Sequence, residues 1–317
     1  MDLLLIVQWM VILAISIFVL VKGAKVFVGG ASQIGSYFGM NQFFIGVLIV
    51  GMGTSLPELA SSLIGVFSGI NEIVVANAVG SNIADILLII GALAFWGGKI
   101  LISRELIKTE LPIFFIATIY FAATLIDGEV DRLESLLLLS TFFVYVWYLL
   151  VKSSETKMEV ALKKRTERKL PLKVVFLTIF SLAVILIGAS FAINMVVNIA
   201  TALTVPIGLI SITAIAIGTS LPELFISIQA IRSKKTELAI GNIFGANTFN
   251  MLVGVGLPGL FIPLMAGEVV MKLGLGIMLA SSAILFVSSI SGEIRRWEGL
   301  MMLILFIFFL IKLTSFL

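Results

Sequence analysis

Gly53–Leu59 reads GTSLPEL, and the same seven letters stand at Gly218–Leu224, 165 positions further on. Aligned without a gap at that offset, residues 51–96 and 216–261 agree at fifteen of 46 positions. The agreements include Asn77/Asn242, Gly80/Gly245, Asn82/Asn247 and Gly91/Gly256. A chain that contains one unit twice folds as two related units. Their surroundings decide the solvent: 60% of the 317 residues are hydrophobic, only 12% are charged, and the mean hydropathy is +1.19. Soluble domains carry ~25% charged residues, so this chain has too little polar surface to coat a globule. Both units belong in a bilayer.

A transmembrane helix takes roughly 20 mostly apolar residues. Ten such runs occur, at 3–21, 41–66, 73–96, 111–126, 133–151, 174–193, 205–231, 238–264, 270–290 and 297–316. Residues 25–38 are amphipathic and can extend the first helix. The first run carries Asp2 and lacks a basic leader or small-residue cleavage site, so it reads as a span and not a removable signal. The expected fold is an all-α membrane protein with ten transmembrane helices. Residues 1–151 form a first five-helix repeat, 152–173 a cytoplasmic linker and 174–317 a second five-helix repeat. Five is odd, so the second unit enters the membrane from the opposite face. That is the inverted-repeat plan of secondary transporters, whose sites lie near the midplane where the copies meet.

Charge gives the orientation. The linker holds Lys152, Lys157, Lys163, Lys164, Arg165, Arg168, Lys169 and Lys173, which the positive-inside rule places in the cytoplasm. Eighteen of the 21 Lys and Arg then fall inside, leaving Arg132, Lys272 and Lys312 outside with the acidic loop Asp127–Glu134. Both termini are expected outside, in a multi-pass protein of the plasma membrane. The absence of Cys and His removes disulfides, thiolate catalysis and the commonest general base. With Lys272 and Lys312 only at span ends and no lysine near a span centre to act as a base, an intramembrane hydrolase is disfavoured. The one basic run is short and sits between spans, which argues against a nucleic-acid role.

Fifteen of the 18 acids can be placed in loops or at span ends; Glu58, Asp85 and Glu223 cannot. A charge at the bilayer centre costs at least ~2.5–3.5 kcal/mol and usually marks an ion path. No Lys or Arg lies in these three spans, so each carboxylate either binds a cation or takes up a proton. A protonated acid hydrogen-bonded between helices is the bland alternative. Pro57 and Pro222 precede the glutamates and free carbonyls around Gly53–Thr54 and Gly218–Thr219, tolerable where they line a cavity. The hydroxyls of Thr54, Ser55, Thr219 and Ser220 lie in the same turns. Asn77, Ser81 and Asp85 recur every four residues along one helix face, matched by Asn242, Ala246 and Asn250. Every donor in this set is oxygen, which suits hard cations; Ca²⁺ takes about 6–8 such ligands.

GTSLPEL in duplicate, together with GSNIAD and GANTFN, resembles the α-repeats of the sodium/calcium exchangers, prokaryotic members included, within the calcium/cation antiporter superfamily. The resemblance implies Na⁺/Ca²⁺ antiport by alternating access, with Ca²⁺ held between Glu58 and Glu223 and the carbonyls of Thr54 and Thr219. It implies sodium sites on either side, using Thr54, Ser55 and Ser81 in one half and Thr219 and Ser220 in the other. The carbonyls of Gly51 and Ala216 fall at the matching backbone positions. Ca²⁺ and Na⁺ are then substrates, no permanent cofactor is expected, and the carrier works as a monomer in the lipid bilayer. Two departures stand out. Ala246 occupies a position where many members have serine. The single aspartate, Asp85, lies in the first repeat opposite Asn250, the reverse of the common arrangement. Stoichiometry and coupling to K⁺ or H⁺ stay open, with a Ca²⁺/H⁺ antiporter and a passive cation channel as the competing readings.

Overall fold

The structure, a computed structural model, describes residues 3–69, 71–161, 170–203 and 218–316. Helix α1 is Leu3–Tyr37, α2 Gln42–Phe67, α3 Glu72–Gly97, α4 Leu106–Ala123 and α5 Arg132–Ala161. The second half contributes α6 Leu172–Ala202, α7 Leu221–Arg232, α8 Thr236–Gly259, α9 Val270–Ser289 and α10 Arg296–Leu313. All of these but α7 are, among the described residues, long and apolar enough to cross a membrane. The expected span 205–231 begins in residues outside the described ones and ends in α7.

The first helix is far longer than its apolar run. At 35 residues and 1.5 Å per residue it is about 52 Å long, well beyond a hydrocarbon core of ~30 Å. Lys22 sits over the Phe18 ring, 5.4 Å from its centroid, and the helix runs on past both Lys22 and Lys25. It ends where Gly39 turns to φ +73°, and the Asn41 side chain caps α2 by accepting from the Phe44 N–H at 2.8 Å. Helix α5 likewise continues through Ala161, so the linker begins as helix.

Helices α3 and α8 form the centre. Almost all of α8 is buried, and most of α3, whereas α1, α5, α6 and α10 leave most of their surface facing outward. Polar side chains on α3 and α8 are therefore shielded from hydrocarbon by other helices. Near-contact of backbones makes this possible at α2 and α8. A Cβ added to Gly51 would lie 2.7 Å from the Ala246 nitrogen, and one on Gly245 would lie 2.7 Å from the Val47 Cα. Gly46 and Gly241 meet in the same crossing. Elsewhere Gly274 packs on Val79, whereas Gly69 is a turn residue at φ +78° and Gly276 meets nothing within 4 Å.

Local irregularities repeat with the sequence. Widened π-helical turns occur at Ala84–Ile90 and Asn250–Gly254, and again at Leu106–Glu110 and Val270–Gly274. Each pair superimposes at the 165-residue offset to within a residue. Four short strands, β1 Lys99–Leu101, β2 Glu129–Val130, β3 Leu264–Met265 and β4 Glu293–Arg295, pair crosswise. Strand β1 lies antiparallel to β4, with Ile100 opposite Ile294, and β2 to β3, with Val130 opposite Leu264. Each ladder joins a loop of one repeat to the other repeat. The β1–β4 ladder marks a basic face, with Lys99, Arg295 and Arg296; the β2–β3 ladder marks an acidic face, with Asp127, Glu129 and Asp131.

Candidate cation site

Helix α2 is interrupted at Ser55 (φ −86°, ψ 3°), and α7 begins after Ser220 (φ −87°, ψ 3°), so the two copies of the motif share one backbone shape. Proline near the first position of the new helical segment is well placed, because its missing N–H would have no helical partner there. Its absence leaves the Gly53 and Gly218 carbonyls without their usual donor. Glu58 and Glu223 fall in the first turn of these segments, where the helix dipole favours negative charge.

The three membrane carboxylates come together. Glu58, Glu223 and Asp85 are 4%, 2% and 1% exposed, and Glu58 lies within electrostatic reach of both other acids. Thr54, Ser55, Ser81, Ser220, Asn242 and Asn250 are buried around them. Ser81 Oγ and Thr219 Oγ1 are 3.2 Å apart and link α3 to the approach of α7. Among the described residues no three acids close into a cage able to hold a metal alone, so neutral oxygens must complete any cation's shell. Several are available. Glu58 Oε2, Asp85 Oδ1, both Glu223 carboxylate oxygens, Ser55 Oγ, Ser220 Oγ, Asn242 Oδ1 and Asn250 Oδ1 are buried without a protein hydrogen-bond partner. Buried polar atoms are almost always paired; here the side-chain amides of Asn82 and Asn247 also lack a protein partner.

The remaining residues of the expected set take varied positions. Gly51 is buried against Asn242 and Ala246, and its carbonyl accepts from the Thr54 hydroxyl and the Ser55 N–H, each at 3.1 Å. Ala216 lies outside the described residues. The Asn242 amide donates to Ser227 Oγ at 2.9 Å and to the Glu223 carbonyl at 3.3 Å. Asn77, its counterpart, is half-buried and lines a cavity. Ser227 was not singled out in the sequence, although Ser62/Ser227 is one of the repeat's identities and lies one helical turn beyond each glutamate. Glu110 is a second correction. It reads as a span-end acid, yet it is 2% exposed and paired with Lys152 at 2.9 Å, with the Tyr148 hydroxyl donating at 3.0 Å.

A cavity of about 500 Å³ reaches Glu58 between α2, α3 and α6, lined also by Pro57, Asn77, Ser190, Ile193 and Thr219. Its lining lies toward the acidic-face ends of these helices. The equivalent positions on the basic face are closed. Ile73 is 42% exposed and its counterpart Leu238 0%; Pro57 is exposed and Pro222 buried; Ile193 is half-buried and Val28 buried. Helix α1 packs along α7, whereas among the described residues α6 barely meets the second half of α2. The cavity is thus one-sided: Pro57 and Glu58 of the first copy and Gly218, Thr219 and Pro222 of the second line it, while Leu238 and Val28 on the basic face are buried.

Comparison with known proteins agrees with this geometry. The family model described as sodium/calcium exchanger protein matches residues 8–151 and 173–314. The chain is 30% identical over 342 residues to the sodium/calcium exchanger MaX1 of Methanosarcina acetivorans, covering 95% of this chain and 97% of that protein. It is 34% identical over 264 residues to the inner membrane protein YrbG of Escherichia coli, covering 80% and 79%. Among solved structures, the sodium-calcium exchanger NCX_Mj soaked with 10 mM Na⁺ matches with a TM-score of 0.81 at 26% identity, over 96% of this chain and 98% of that one. The duplicated motif, the crosswise ladders and the family match over both halves lead to one conclusion: this chain is a multi-pass membrane protein of the sodium/calcium exchanger family.

Proposed function

We propose that the protein is a secondary antiporter that exchanges Na⁺ for Ca²⁺ at the Glu58–Glu223–Asp85 centre by alternating access. The observation that carries this reading is the pair of buried glutamates on matching broken helices, with their oxygens and those of neighbouring hydroxyls and amides unpartnered. Ca²⁺ is assigned to Glu58 and Glu223 with the carbonyls of Thr54 and Thr219. Sodium is assigned to flanking positions that use Ser55, Ser81 and Ser220 together with the two threonines. Three ionised carboxylates carry −3, which three Na⁺ neutralise. Moving that charge unaccompanied through low dielectric is prohibitive, so reorientation requires a cargo.

Under this reading the basic face is cytoplasmic, both termini lie outside the plasma membrane, and the linker 152–173 joins two inverted five-helix units. The cavity beside Glu58 is then the external entry, and the packing of α1 along α7 on the basic face is the internal gate. The open/closed contrast at equivalent positions supports a carrier over a channel, because a channel needs both gates open together.

The test is Ca²⁺ uptake by purified protein in vesicles loaded with Na⁺, at equal pH on both sides. Uptake that requires an outward Na⁺ gradient and disappears in Glu223→Gln is the expected result. Uptake driven only by an outward proton gradient would instead assign the protein to Ca²⁺/H⁺ antiport, with Asp85 as the leading proton carrier.

A further inference from the structure

The turn that joins α7 to α8 differs from its counterpart in the first repeat. Lys234 has φ +59°, and among the described residues no other non-glycine side chain adopts a positive φ. Its equivalent 165 residues earlier is Gly69, at φ +78°. The same left-handed turn is thus made with glycine in one copy and with lysine in the other, where the Cβ disfavours it. The Lys234 N–H donates to the Ile231 carbonyl and the Lys235 N–H to the Ala230 carbonyl, both at 2.9 Å.

Held by this turn, the Lys235 side chain reaches across to α1. Its Nζ donates to Ser32 Oγ at 2.6 Å, and Ser32 donates to Gln42 Oε1 at 3.5 Å. The chain of contacts ties the α7–α8 turn to α1 and to the first residue of α2, all on the sealed basic face. Ser32 is buried and Lys235 half-buried. Desolvation at this position holds the Lys235 ammonium below its usual pKa, so the hydrogen bond forms where water competes weakly. The equivalent positions at the other gate carry Val197 for Ser32, Ile70 for Lys235 and Ile207 for Gln42. None of these side chains can donate or accept a hydrogen bond.

We propose that the Lys235–Ser32–Gln42 chain is a one-sided latch that keeps the basic-face gate shut and sets the resting carrier toward its acidic-face-open form. The proposal rests on the alternating-access reading above. An inverted repeat of identical halves would leave the two gates equally stable; a polar tie that the counterpart residues Val197, Ile70 and Ile207 cannot reproduce breaks that balance.

The chain has no cysteine, so a single introduced thiol reports its surroundings without background. Val28→Cys probes the sealed gate and Ser190→Cys the open cavity, each read as the rate of labelling by a maleimide in purified protein. Lys235→Met and Ser32→Ala should each speed labelling at Val28→Cys about tenfold, the shift that loss of one charged hydrogen bond brings. Each should also slow labelling at Ser190→Cys, and the double substitution should add nothing further. Unfolding would speed both reporters, so opposite signs are the signature of the latch. Unchanged rates in both variants, or additive effects in the double variant, would overturn the latch. If the carrier reading itself fails, neither reporter will respond to Ca²⁺ or Na⁺ even with Lys235 and Ser32 in place. If only the latch fails, both will respond to the ions and ignore the substitutions.

Discussion

Ser81 and Thr219 share a hydrogen bond at 3.2 Å between side chains of different repeats. Its symmetry mate, 165 residues away on each side, would join Ala246 to Thr54, and alanine has no hydroxyl to offer. Thr54 turns its hydroxyl to the Gly51 carbonyl instead. The two flanks of the glutamate pair are therefore chemically unequal. Ser81→Ala should raise the Na⁺ concentration for half-maximal exchange about fivefold, the equivalent of ~1 kcal/mol for one hydrogen bond. Ala246→Ser should move it the other way. Sodium-activation curves in vesicles at fixed Ca²⁺ measure both.

The α2–α8 crossing admits no side chains at its glycines. A methyl at Gly245 would press on the Val47 backbone, and one at Gly51 on the Ala246 nitrogen. Overpacking of this kind costs typically about 1–3 kcal/mol, more where only backbone can yield. Gly245→Ala should lower the melting temperature and suppress exchange. Gly276→Ala, where nothing lies within 4 Å, should leave both unchanged. Thermal unfolding in detergent separates the two.

Lys152 carries a cluster of its own. It bonds Glu110 at 2.9 Å, Thr109 at 2.7 Å and Tyr148 at 3.2 Å, and its ammonium lies 3.3 Å from Glu105. Removing one partner of a buried pair leaves the other charge uncompensated, at about 3–5 kcal/mol. Lys152→Met should accordingly destabilise the protein severely, and the double variant Lys152→Met, Glu110→Met should recover most of the loss. Denaturation midpoints of the three proteins decide it.

Cargo should stabilise the fold through the oxygens that lack protein partners. Ca²⁺ at a hundred times its dissociation constant would add ~2.7 kcal/mol of stability. In Glu58→Gln and Glu223→Gln that gain should disappear. A thermal shift with Ca²⁺ that survives in both variants would remove Ca²⁺ from these two residues.

The repeat, the spans and the three membrane acids were legible because each rests on letters alone: identity at a fixed offset, apolar run length, and charge where charge is costly. Other features were hidden for physical reasons. The extension of α1 through residues 25–38 was legible in their amphipathic pattern, whereas its end at Gly39 and Asn41 is set by turn geometry and not by hydropathy. Strands of two or three residues carry no periodic signal, and their partners lie far along the chain, Ile100 opposite Ile294 and Val130 opposite Leu264. Glu110 looked interfacial because Lys152 is 42 residues distant. On which face the cavity opens could not be read at all, since both copies of GTSLPEL are spelled the same.

The crosswise ladders have a consequence for how the protein is made. Strand β1 leaves the ribosome with its edge unmatched, because Ile100 pairs with Ile294. At ~5–20 residues per second, the 194 residues between them (294 − 100) take on the order of 10–40 s to synthesise. The first half must therefore wait in the membrane with an open edge, and neither repeat can reach its final register before the second is nearly complete. Closure of the two ladders is a late event, shared by both halves.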